Sequence, residues 1–232
     1  TCQQEPKGMA VIDVEARKEI KMVPIKGGRA GGMDPQGKYF MVSASKSVHF
    51  FDSQTAELVK TIKVPGGGGN FTCLKDGSKC YVGLRKANAV GVIDMAKLEL
   101  MKTIETGPDA NRLYLNPGNS RYGLFANEAG KSDIVSIIDT QLDVKVKDIW
   151  TGLGPHNVAF DPDGKFAVIS TKKENVATLV DTGSADPNDW DVITTDLDSG
   201  IQNNGVRWVP SPAALKKAVS YTHLRAHETC GH

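Results

Sequence analysis

Short apolar runs with alternating side chains recur along the chain, and each of them ends in an aspartate. The runs are AVIDV (10–14), HFFDS (49–53), GVIDM (91–95), SIIDT (136–140) and TLVDT (178–182). Their aspartates, Asp13, Asp52, Asp94, Asp139 and Asp181, are 39, 42, 45 and 42 residues apart. Runs rich in β-branched and aromatic residues with a period of two are typical of β-strands. The recurrence therefore predicts about five copies of one β-rich unit.

A tight turn separates successive runs and gives each unit a second marker. The turns are DPQG (34–37), KDGS (75–78), NPGN (116–119) and DPDG (161–164). Proline presets φ in such turns, and glycine or asparagine accepts a positive φ. A strand-like run such as KFAVIST (165–171) follows each turn. Units of roughly 42 residues with several strands predict the blades of a β-propeller, because a lone four-stranded sheet must pack on neighbours to bury both faces.

The segment GPHNVAFDPDGKFAVISTKKENVATLVDT (154–182) resembles the YVTN-type β-propeller repeat, a WD40-like repeat. The other units resemble it less, since KDGS lacks the proline and an insertion follows Asp181. Rings of this family usually have seven blades, so the resemblance implies an incomplete ring over residues 10–217, preceded by an N-terminal tail at 1–9. The family includes binding surfaces, surface-layer proteins, lactonases and the haem domains of some reductases, so it implies a fold rather than a function.

Composition narrows the classes of partner. The chain has 28 Lys and Arg against 27 Asp and Glu, which does not predict the basic face that nucleic acids need. No apolar stretch approaches the length of a membrane span. No Ser-His-Asp order, glutamate pair or C-x-x-C-H haem attachment is visible. The sequence therefore predicts no catalytic residue, cofactor or metal site, and a partner that is a protein or a small molecule.

The last ten residues, HLRAHETCGH, contain three histidines and a cysteine and raise the question of a zinc site. Residues 219–229, VSYTHLRAHET, resemble the translation in one frame of a transposase adapter used to prepare DNA libraries for sequencing. We therefore expect residues 218–232 to be a non-native tail and exclude them from the fold.

Polar and cationic residues recur at the position that enters the first strand of each unit, beside the expected central channel. They are Arg29, Asn70, Asn111, Arg112, His156, Asn157, Asn203 and Asn204. One interpretation is a ligand site at the channel mouth that favours an anion. The other is a solvated rim whose residues only form turns.

Three further features leave alternatives open. His156 could be a metal or haem ligand, a general base, or part of the rim. The acidic insertion 181–191 could hold Ca²⁺ or be an ordinary loop. Cys73 and Cys80 face each other across the KDGS turn, so they could form a disulfide or remain two core thiols. A disulfide would favour a periplasmic or extracellular location.

The sequence favours a non-enzymatic, exported binding module that engages its partner through the polar rim. The alternative is a propeller enzyme such as a lactonase, or a propeller associated with a redox cofactor such as haem. Catalysis predicts carboxylates or further histidines beside His156, supplied by blades missing from the chain, whereas binding predicts no such cluster.

Overall fold

The fold is all-β and consists of five antiparallel sheets, one with three strands and four with four strands. The computed structural model describes residues 2–3, 8–198 and 206, so Asn203, Asn204 and the region 218–232 lie outside the described residues. We call the sheets blades 1 to 5 in chain order. Their number confirms the prediction of about five repeat units.

Strands that are adjacent in sequence are also adjacent in each sheet. Blade 1 contains β1 (Cys2–Gln3), β2 (Gly8–Asp13) and β3 (Lys18–Pro24). Blade 2 contains β4 (Gly28–Met33), β5 (Tyr39–Ala44), β6 (Ser47–Asp52) and β7 (Leu58–Lys63). Blade 3 contains β8 (Phe71–Cys73), β9 (Lys79–Leu84), β10 (Ala89–Asp94) and β11 (Glu99–Glu105). Blade 4 contains β12 (Ala110–Leu115), β13 (Tyr122–Asn127), β14 (Ile134–Asp139) and β15 (Val144–Trp150). Blade 5 contains β16 (Pro155–Phe160), β17 (Phe166–Thr171), β18 (Val176–Asp181) and β19 (Asp191–Asp198).

The blades are arranged around an axis. The first strands of blades 2 to 5 contact one another in the order β4, β8, β12, β16, and the fourth strands contact in the order β7, β11, β15, β19. This arrangement places the first strands along a central channel and the fourth strands on the outside. Within the part of the chain that the structure describes, the five sheets do not close into a ring, as expected for an incomplete propeller. Among the described residues, no helix has the length and apolarity needed to cross a membrane.

Each interface between neighbouring blades has its own apolar cluster. Met9 and Val42 pack between blades 1 and 2, and Phe50 packs with Val82 between blades 2 and 3. Tyr81 and Phe125 belong to the cluster of blades 3 and 4, and the next cluster, between blades 4 and 5, contains Ile137, Ile169 and Trp190. Both faces of an internal sheet are thereby buried, which explains why its strands are apolar on both sides.

The repeated aspartates cap the turns that follow them. Asp52 Oδ1 accepts the backbone N–H groups of Gln54 and Thr55 at 3.0 and 2.9 Å, and the equivalent aspartates accept one or two N–H groups in the same way. These donors lower the pKa of Asp52. The aspartates therefore build turns, as expected for Asx-type capping, rather than meeting at one site.

Candidate functional site

The second strands end at equivalent positions that carry different side chains in each blade. The residues directly after β5, β9, β13 and β17 are Ser45, Arg85, Glu128 and Lys172. Sequence reasoning missed this position because its residue types do not repeat. The available signal was spacing, since Ser45, Arg85 and Lys172 each follow the turn glycine of their unit by eight residues. All four lie at the end of the blades where the chain enters the first strands.

Glu128 is the centre of a cluster at this end, which we call the channel mouth. Its side chain is only 9% exposed. Arg85 Nη1 lies 2.7 Å from Glu128 Oε2, and Lys172 Nζ contacts Glu128 Oε1. Asn111 Nδ2 donates to Oε2 at 2.8 Å. Three neighbouring blades thus supply donors to one buried carboxylate.

The cluster keeps Glu128 ionised. Burial alone would raise the pKa of this carboxyl, but hydrogen bonds from His156, Lys172 and Arg85 outweigh burial and lower the pKa well below its ordinary value. Arg85 also binds Asp109 Oδ2, through Nη2 at 2.5 Å. Glu128 is therefore suited to orienting cations and unsuited to acting as a general acid.

His156 is held between Glu128 and Asn157. Its Nε2 lies 3.2 Å from Glu128 Oε1, and its Nδ1 lies 3.1 Å from Asn157 Nδ2. Asn157 Oδ1 in turn accepts the Tyr114 hydroxyl at 2.5 Å, and burial raises the pKa of Tyr114 to about 12. The amide of Asn157 can only donate to Nδ1, so Nε2 is the nitrogen that carries hydrogen toward Glu128 in the neutral ring.

Two arginines at the mouth have no ion-pair partner within the described residues. Arg29 and Arg112 are both exposed, and Arg112 lies over the Tyr114 ring at 5.2 Å from its centroid. Arg29 and Arg85 both lie next to Gly68. A Cβ placed on Gly68 would be 3.5 Å from Cδ of Arg29 and 4.0 Å from Cδ of Arg85. Arg85 and Lys172 are the cations that contact Asp109 and Glu128, so the charges of Arg29 and Arg112 are not balanced by these two carboxylates.

The asparagines of the rim join the blades. Asn70 Nδ2 donates to Asn111 Oδ1 at 3.0 Å, and the Asn70 N–H donates to the Asn111 carbonyl at 2.9 Å. The glycine run before Asn70 does not form an anion cradle, because the N–H groups of Gly67, Gly68 and Gly69 already donate to protein oxygens. Of the predicted rim residues, Asn70, Asn111, His156 and Asn157 form one polar network, and Arg29 and Arg112 remain exposed beside it.

The remaining candidates lie away from the mouth. Cys73 and Cys80 form a disulfide with a Cα–Cα distance of 3.9 Å. His49 of β6, which is not one of the predicted site residues, forms hydrogen bonds with Ser47 and Thr61, and burial lowers its pKa. In the acidic insertion, Asp186 Oδ1 accepts the N–H of Asn188, one of the loop's internal hydrogen bonds. In the described part of the chain, no group of three or more His, Cys, Asp or Glu is placed to hold a metal.

Comparisons with known proteins support the fold alone. No protein-family model matches the chain, and no curated protein sequence matches it. Among solved structures, hydrazine synthase of Kuenenia stuttgartiensis matches with a TM-score of 0.62 and 24% identity over 74% of this chain and 50% of its own. A protein of Bacteroides fragilis titled "putative 6-phosphogluconolactonase" matches with a TM-score of 0.64 and 19% identity, over 83% and 65% of the two chains. A protein of unknown function from Desulfotomaculum acetoxidans matches with a TM-score of 0.61 and 13% identity, over 80% and 61%. This chain spans between half and two thirds of the length of these structures. Its five packed sheets and these structural matches show a β-propeller fold.

Proposed function

We propose that the chain is a β-propeller binding module that takes a small anionic ligand at the channel mouth. The observation that carries the proposal is the pair of exposed arginines, Arg29 and Arg112, whose neighbours Arg85 and Tyr114 belong to the polar network around Glu128. Glu128 and Asp109 already balance Arg85 and Lys172, so the charges of Arg29 and Arg112 are available to a ligand. Arginine is well suited to this role, because its planar guanidinium matches carboxylate and phosphate groups.

The polar network behind the arginines supports a site rather than a solvated rim. Asn111 and Glu128 are fixed by hydrogen bonds from blade 3, donated by Asn70 and Arg85, and His156 is held at both ring nitrogens. A site whose polar groups are already oriented loses less entropy when a ligand binds. The resemblance of residues 154–182 to the YVTN repeat and the use of such rings as binding surfaces agree with this proposal.

A panel of matched compounds tests the ligand class. Citrate, succinate and inorganic phosphate should raise the melting temperature of the protein, whereas the uncharged succinamide and glucose should not. The effect should weaken as salt is added, because the two arginines are exposed and their charges are screened. Equal stabilisation by the charged and uncharged compounds would count against an anion site.

One observation favours a second function, a hydrolytic enzyme. Glu128 and His156 form a carboxylate–imidazole pair, and both residues lie within this chain rather than in further blades. A carboxylate that orients a histidine is a common part of general-base catalysis. Here the basic nitrogen would be His156 Nδ1, so the Asn157 amide that donates to it would have to give way to the substrate or to a water. If this function is correct, hydrolysis of a simple ester or lactone should exceed the uncatalysed rate and should be lost in His156→Gln but not in His49→Gln. If the unmodified protein shows no turnover, the hydrolytic function is rejected and the binding function remains.

The location is also part of the proposal. We place the protein in an oxidising compartment, periplasmic or extracellular, because Cys73 and Cys80 are bridged across an exposed turn. Free thiols can be counted in the protein isolated from its natural source, before and after reduction. We expect two fewer free thiols before reduction than after it.

A further inference from the structure

A second cleft lies at the opposite end of the blades from the channel mouth. It has a volume of about 690 Å³ and lies between blades 3 and 4. Its walls are the turn between β8 and β9, the turn between β12 and β13, and the start of the turn after β14. The volume falls within the range of about 300–1,000 Å³ that is usual for small-molecule sites.

One wall of this cleft is fixed covalently. The Cys73–Cys80 disulfide closes the loop that contains Leu74, Lys75 and Lys79, all of which line the cleft. Behind this wall, the buried Tyr81 hydroxyl donates to Asp143 Oδ1 at 2.7 Å and ties blade 3 to blade 4. The wall is therefore formed before any ligand arrives, which reduces the ordering that binding requires.

The charges that face the cleft are already balanced. Lys79 Nζ lies 2.8 Å from Asp143 Oδ2, and the Nε and Nη2 atoms of Arg121 bind Asp139 Oδ2 at 2.9 and 2.7 Å. Lys75 and Asp76, which are neighbours in sequence, both line the cleft and carry opposite charges. A charged ligand would therefore lose hydration without gaining a net opposite charge.

Two cationic side chains in the cleft, Lys79 and Arg121, nevertheless keep N–H donors that no described protein group accepts. Lys79 has three N–H groups and uses two of them, on Asp143 and on the Thr140 carbonyl. Arg121 donates through Nε and Nη2, and within the described residues its Nη1 has no protein acceptor. Leu74, Leu115 and Pro117 supply an apolar surface beside these donors.

We infer that this cleft binds an uncharged molecule with an apolar body and a carbonyl acceptor. The apolar body covers Leu74, Leu115 and Pro117, and the carbonyl oxygen accepts from Lys79 or Arg121. The site is separate from the channel mouth and does not depend on the anionic ligand proposed there.

Three eight-carbon probes that differ in their head group test this inference: 2-octanone, octanoate and octylammonium. We expect 2-octanone to bind at least about tenfold more tightly than either ion in a ligand-observed NMR titration. The variant Gln141→Trp, which places a large ring at the edge of the cleft, should weaken 2-octanone binding by about tenfold. Gln54→Trp is the matched control, since Gln54 occupies the equivalent turn position in blade 2 and is exposed.

The disulfide allows a second, independent test of the inference. The double variant Cys73→Ser/Cys80→Ser should bind 2-octanone about three- to tenfold more weakly, because the wall must then be ordered by the ligand. Tighter binding of octanoate or octylammonium than of 2-octanone, or equal 2-octanone affinity in Gln141→Trp and Gln54→Trp, would overturn the inference. Citrate binding measured in Gln141→Trp reports on the channel mouth separately, so the two proposals fail independently.

Discussion

Glu128→Gln should lower the free energy of unfolding by about 3 kcal/mol at neutral pH. The substitution keeps the shape of the side chain but removes the charge that Arg85, Lys172 and His156 contact. Breaking a buried ion pair by removing one partner costs about 3–5 kcal/mol, because the other partner stays buried and unpaired. We expect the lower end, since Lys172 is 32% exposed and can turn toward water. Urea unfolding measures the change.

The same variant should change how stability depends on pH. Because the folded protein lowers the pKa of Glu128, this residue stabilises the fold fully above its ordinary value of 4.5, and the contribution declines as the pH falls below that value. The difference in stability between the unmodified protein and Glu128→Gln should therefore stay nearly constant down to about pH 5 and shrink as the pH falls further to about pH 3. Glu105→Gln, at an exposed position on β11, is the control and should change stability by less than about 0.5 kcal/mol. An equal loss in both variants would show that the cluster does not depend on Glu128.

Gly83→Ala should destabilise the protein by about 3 kcal/mol or more and should disturb the channel mouth. A Cβ at Gly83 would overlap the Asn111 carbonyl oxygen and lie 2.6 Å from the Ala110 carbonyl oxygen. Both are backbone atoms of the next blade, and the Asn111 carbonyl already accepts from Asn70. Overpacking costs about 1–3 kcal/mol where side chains can shift, and here the backbone of β12 itself would have to move.

Gly91→Ala provides a control in the same blade. The closest atoms to a Cβ at Gly91 are methyl groups of Val82 and Leu100, at 3.0 and 3.1 Å, and side chains of this kind can adjust. We expect it to cost about 1 kcal/mol by urea unfolding, the lower end of the range for overpacking that side chains can absorb. If Gly91→Ala destabilised the protein as much as Gly83→Ala, the effect at Gly83 could not be attributed to the close approach of blades 3 and 4.

The repeat could be predicted from the sequence because the same physical demand recurs in every unit. Each sheet needs apolar strands, a turn with a positive φ, and an aspartate that satisfies the N–H groups of the following turn. Gly37, Gly77 and Gly164 have φ values of 69°, 71° and 70°, as the turn pattern requires. The turn pattern also places Cys73 opposite Cys80, but it leaves open whether the two thiols are bridged, as they are in the structure.

The centre of the candidate site could not be predicted in the same way. Glu128 meets Arg85, Asn111, His156 and Lys172 through contacts between residues 17 to 44 positions apart in sequence. No local pattern marks the residue, because it differs from the side chains at the equivalent positions of the other blades. Its role depends on how the blades are placed side by side, which the repeat period predicts only in outline.

Calorimetric titration of citrate into the unmodified protein and into Arg29→Ala/Arg112→Ala tests the central claim most directly. Hydrogen bonds to charged groups contribute about 1.5–3 kcal/mol each, so losing both arginines should weaken binding by about a hundredfold or more. Lys102→Ala, which removes an exposed charge from the outer strand β11, should leave the affinity unchanged. Measurable citrate binding that disappears only in the double arginine variant would agree with an anion site at the channel mouth. Equal affinity in all three proteins, or no binding to the unmodified protein, would contradict it.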